Sequence, residues 1–165
     1  MRPLVRLSAA ALFVACSGST SETRPADFAA GGLSLTTAKT TYSAAEVVPG
    51  NEGIRAKLTS AADRPYYSKL GDAFNGAADQ NPLFVAEGTD ATIERQSGDS
   101  WVKAPSGILV EGVREVVLTP GKSYDIIVTL AGPIQTGTYR LQLFASGVAG
   151  GERKLVARSE TFDVR

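Results

Sequence analysis

From residue 33 onward, apolar and polar side chains alternate with a period of two. Leu33 and Leu35 alternate with Ser34 and Thr36, and Ile54, Ala56 and Leu58 alternate with Arg55, Lys57 and Thr59. The same pattern recurs at Ile126, Val128 and Leu130, at Tyr139, Leu141 and Leu143, and at Phe162 and Val164. A period of two puts successive side chains on opposite faces of a strand, so each stretch reads as a strand with one buried face. Pro49-Gly50-Asn51, Ser97-Gly98-Asp99, Pro120-Gly121, Gly132-Pro133 and Gly150-Gly151 supply turn chemistry between them. No stretch sustains a 3.6-residue repeat with caps. The pattern predicts an all-β chain: one antiparallel β-sandwich of about seven strands over residues 33–165.

The first 32 residues are organised differently. Arg2 and Arg6 flank and precede a run from Leu7 to Ala15 that is apolar apart from Ser8, too short to cross ~30 Å of hydrocarbon as a helix but of the length of a secretory h-region. Cys16, the one cysteine, follows directly, and Leu12-Phe-Val-Ala-Cys16 resembles the bacterial lipobox, although Phe13 stands where leucine is usual. That resemblance implies residues 1–15 as a lipoprotein signal peptide and a diacylated Cys16 as the mature N-terminus. The alternative is an ordinary secretory signal cut after Ser17. A lone cysteine suits lipidation better than a disulfide framework, which needs pairs. Residues 16–32 then form a lipidated tether, rich in Ser, Thr, Ala, Gly and Pro and too poor in apolar groups to order itself.

Charge narrows the partners. The whole chain carries 17 Lys+Arg against 17 Asp+Glu, and loss of Arg2 and Arg6 with the signal leaves 15 against 17, a net −2. Such a balance offers no electrostatic footprint for nucleic acid. After the signal, no apolar stretch approaches the ~20 residues of a membrane helix, so attachment rests on the lipid. The chain has no histidine, which excludes a Ser-His-Asp triad and any imidazole ligand or base. Asp72, Asp79, Glu87 and Asp90 match no calcium-loop spacing. No enzyme, cofactor or metal is expected.

Four stretches resemble parts of bacterial immunoglobulin-like domains. Thr119-Pro-Gly-Lys-Ser-Tyr-Asp-Ile-Ile-Val-Thr-Leu130 followed by Thr136-Gly-Thr-Tyr-Arg-Leu141 is similar to their Pro-Gly turn, strand E and the opening of strand F. Lys39-Thr-Thr-Tyr-Ser43 and the Ile93…Trp101 segment resemble their strand B entry and a tryptophan-bearing hairpin. The resemblance implies an immunoglobulin-like sandwich in which Tyr139 is the tyrosine-corner residue, with the inter-sheet core centred on Trp101 and Leu141. Segment 68–90 departs from it, being long, Gly- and Asn-rich and without period. Long loops of this kind are functional or disordered. With the turn at Ser97-Gly98-Asp99 it is the expected partner site, through Phe74, Asn75, Asp79, Asn81 and Phe84. Tyr66, Tyr67, Phe74 and Phe84 also read as a cap on the open end of the core. The expected function is a non-catalytic, lipid-anchored binding or structural module of the bacterial cell envelope, on the outer membrane where there are two, with a protein or glycan partner. The sequence is also weakly similar to the bacterial intracellular proteinase inhibitors, which implies an alternative: an extracytoplasmic inhibitor that docks a loop in a protease cleft.

Overall fold

The computed structural model describes residues 32–71, 82–107, 110 and 112–165. Among them are twelve strands and no helix: β1 (Leu33–Thr37), β2 (Thr41–Tyr42), β3 (Ile54–Ser60), β4 (Tyr66–Gly71), β5 (Leu83–Val85), β6 (Ala91–Ser97), β7 (Ser100–Ala104), β8 (Val113–Leu118), β9 (Ser123–Val128), β10 (Gly137–Ala145), β11 (Lys154–Arg158) and β12 (Phe162–Val164). They form two sheets, ordered β1-β3-β9-β5-β4-β8 and β2-β12-β10-β6-β7, with β11 also paired to β10. The sheets are mixed, because β5 runs parallel to β9 and β2 parallel to β12. The expectation of a purely antiparallel fold is corrected at those two pairs, and about seven strands become twelve.

The five alternating stretches are β1, β3, β9, β10 and β12. Their apolar residues share one core with those of the other strands. Both inner faces contribute to it, as in a β-sandwich: Leu58, Leu70, Leu118 and Ile126 from one sheet, Ile93, Leu141, Leu143 and Phe162 from the other. Phe162 lies between two buried tyrosines, edge-on to Tyr42 with ring centroids 5.5 Å apart and stacked on Tyr139 at 6.1 Å. These spacings fall in the favourable range for aromatic pairs.

Several hydrogen-bonded contacts among the described residues join the sheets. Along one side, Tyr67 of β4 and Ser146, just after β10, exchange both backbone hydrogen bonds at 2.8 and 2.9 Å. The Ser68 hydroxyl donates to the Phe144 carbonyl beside them. Nearby, Arg153 donates to Asp90 at 2.7 Å and also to Glu115, tying the approach to β11 to β8. At the other end, Ser106 bridges to Leu130.

Before β3 the chain turns tightly. Ser43 N–H donates to the Glu46 carboxylate at 2.6 Å, while Glu46 N–H donates back to the Ser43 hydroxyl at 3.3 Å. This reciprocal pair satisfies two backbone donors, as a capping box does. Lys39 also donates to Glu46. The ammonium contact first, then the Ser43 donors, hold the Glu46 carboxyl down to about 2 from the usual 4.5. A depressed carboxylate pKa means that the unfolded chain binds more protons in this window, so the contribution is complete above about 4.5 and is lost as pH falls toward 2. Glu46→Gln is expected to lower the urea midpoint at pH 6 and to have little effect near pH 2, and equal losses at both pH values would contradict the assignment.

Segment 68–90, read as a loop, contains β4 residues at its start, all of β5 and the approach to β6. Ser68 hides β4 from pattern reading: a polar residue occupies a fully buried position, satisfied by Phe144. Phe84 is therefore a strand residue, paired with Gly71 and Ile127, rather than a loop residue.

Candidate functional site

Of the residues expected to matter, Cys16, Phe74, Asn75, Asp79 and Asn81 lie outside the described residues. Phe84 is half-buried in β5. Tyr139, in the second sheet, is 2% exposed, and its hydroxyl donates to the carbonyl of Gln135 four residues upstream. Burial pushes its phenol pKa up. Because Gln135 itself is exposed, water can replace part of that bond. Tyr139→Phe is expected to cost about 1 kcal/mol, and an unchanged denaturant midpoint would mean that the hydroxyl does nothing for the fold.

Trp101 corrects an expectation. It is half-buried and outside the core, whereas Leu141 is in the core at 2% exposure. Register explains the difference. The two-residue turn at Gly98-Asp99 pairs Gln96 with Trp101 and Ile93 with Ala104. Ala104 and Ile93 face inward, so Trp101, three residues before Ala104, must face outward. There the Arg140 guanidinium lies over its ring at 4.0 Å, and Arg140 in turn donates to Glu94 at 2.7 Å. One face of the indole is thus already occupied by a cation.

One of several cavities on the described surface lies beside this hairpin. β7 is the last strand of its sheet. Beside it opens a cavity of about 290 Å³ lined by Val102, Pro105, Pro133, Ile134, Tyr139 and Arg95, among others. Val102 is 42% exposed, one of the few large apolar residues the described surface presents to water. Arg95 brings a positive charge to the lining, which contains no carboxylate, and Lys103 of the same lining shares the outer face of β7 with Trp101. The wall opposite β7 is the 131–135 turn, anchored by Ala131 N–H donating to the Pro105 carbonyl at 3.0 Å.

Only part of this was readable from the sequence. The hairpin turn and Trp101 drew attention to the region, but Arg95, Val102 and Lys103 carry no signal of their own. Their partners Pro133 and Ile134 arrive some thirty residues later, through a sheet-to-sheet bridge that no local pattern encodes. Among the described residues no group of three His, Cys, Asp or Glu is placed to hold a metal ion. No helix there is long and apolar enough to cross a membrane.

No protein-family model and no curated protein matches the sequence.

Proposed function

We propose that the chain is a lipid-anchored module of the bacterial cell envelope that binds a partner through an immunoglobulin-like sandwich and performs no catalysis. The observation that carries this reading is the order of parts: a short apolar segment, Cys16, a polar tether, and then β1 starting at Leu33. Acylation at Cys16 would make the tether a spacer on the order of 20 Å long, holding the sandwich clear of the bilayer.

Strand order supports the immunoglobulin-like part. The neighbours β1-β3-β9 follow the A-B-E sequence of such domains, and β12-β10-β6-β7 follow G-F-C-C′. Tyr139 near the start of β10, bonded to Gln135, occupies the place of a tyrosine corner. The departure is in the first sheet, where β5 and β4 lie between β9 and the edge strand β8.

A protease panel separates this reading from the inhibitor alternative. The purified full chain is expected to leave the rates of secreted serine proteases unchanged at equimolar and tenfold excess. Stoichiometric inhibition of any of them would replace the binding module with an inhibitor.

A further inference from the structure

We infer that the open edge of β7 and its cavity bind an extended, acidic–apolar peptide segment of a partner protein by adding it to the sheet as a further strand. The inference rests on the reading of the chain as a binding module but not on its lipid anchor. It starts from backbone geometry. Ser97 and Ser100 close a two-residue hairpin, so they form a hydrogen-bonded pair, and such pairs alternate along an antiparallel ladder. Val102 and Ala104 therefore spend their backbone groups on β6, while those of Trp101 and Lys103 point away from the sheet. None of the loop and turn backbone hydrogen bonds uses them. An outward row of donors and acceptors is a template for strand addition, and side-chain pockets alongside supply specificity.

The other edges are less suited. β2 is two residues long. β1 packs against β11 as well as pairing with β3. The cavity beside β8 mixes Glu115 with Arg114 and Lys122, and Glu115 is already engaged by Arg153. At β7 the carboxylate opposite Lys103, that of Glu94, is already taken by Arg140, which leaves the cations of Arg95 and Lys103 to an incoming strand. Arg95 shares the inward parity of its register partner Val102 and sits at the cavity, whereas Lys103 shares the outer face with Trp101. Neither forms an ion pair among the described residues. An incoming strand thus meets a cation on each face, and one of its side chains reaches the apolar wall of Val102, Pro105, Pro133 and Ile134. Charge complementarity then selects a peptide with carboxylates beside apolar residues. A glycan is the poorer fit, because Arg140 already covers one face of the only tryptophan.

The test uses the full chain in detergent and a six-residue, end-blocked peptide of alternating glutamate and valine, with its lysine–valine counterpart as control. Trp101, being the single tryptophan, reports binding by fluorescence, with calorimetry as a second readout. The glutamate peptide is expected to bind with a Kd below about 1 mM, more weakly as salt is raised, and the lysine peptide not to bind. Lys103→Pro removes one outward donor without touching the β6 ladder, and Arg95→Glu reverses one charge while leaving the backbone intact. Each is expected to weaken binding at least about tenfold with an unchanged thermal midpoint. No binding by the wild-type chain, equal binding of both peptides, or undiminished binding by both variants would overturn the inference. So would sedimentation showing a dimer that Lys103→Pro dissolves while the peptide goes unbound, since the edge would then belong to a second copy. None of these outcomes depends on whether Cys16 is acylated, so failure here leaves the anchor reading standing.

Discussion

Phe162→Ala is expected to remove about 3–5 kcal/mol of stability, enough to bring a domain of ordinary stability close to unfolding. Phe162 is 2% exposed and wedged between Tyr42 and Tyr139. It also belongs to β12, which alone pairs β2 to the rest of the second sheet. Truncation loses transfer free energy and leaves a cavity that two rigid rings cannot close, because the Tyr42 hydroxyl is tied to Arg55 and Lys39 and the Tyr139 hydroxyl to Gln135. Phe162→Leu, which keeps most of the volume, is expected to cost well under half as much. Denaturant unfolding followed through Trp101 measures both. A loss under about 1 kcal/mol for Phe162→Ala would mean that this aromatic trio is not a tightly packed part of the core.

Cys16→Ser is expected to release the protein from membranes completely. Each buried methylene of an acyl chain contributes about 0.8 kcal/mol, so two or more chains dominate any residual attraction of a chain with near-neutral charge. Adsorption through surface charge would be removed by salt. The measurement is fractionation after a high-salt wash, with the released variant checked for an unchanged thermal midpoint. Retention of processed Cys16→Ser protein in the washed membranes would place the anchor elsewhere.

How much of the fold could be read in advance depended on what faced outward. β3 was legible because Arg55, Lys57 and Thr59 mark its outer face against Ile54, Ala56 and Leu58. β8 was not, because Val113 and Val117 stand exposed at 38% and 46% and blur the alternation. β4 was lost to the buried Ser68. β5 was lost to its length, three apolar residues that become a strand only through parallel pairing with β9, some forty residues away. β2 likewise exists through a parallel pairing with the far end of the chain. Trp101 misled for a different reason. Its size suggests core, but hairpin register fixes its face, and Arg140 then covers it. The groove beside β7 was invisible for the reason that hid β2 and β5: its two walls come from separate parts of the chain.

The anchored-module reading is tested most directly by the intact mass and N-terminal analysis of the protein recovered from bacterial membranes. The expected species begins at Cys16 and carries a thioether-linked diacylglycerol. A species that begins at Gly18 without lipid, or one that still carries residues 1–15, would contradict it.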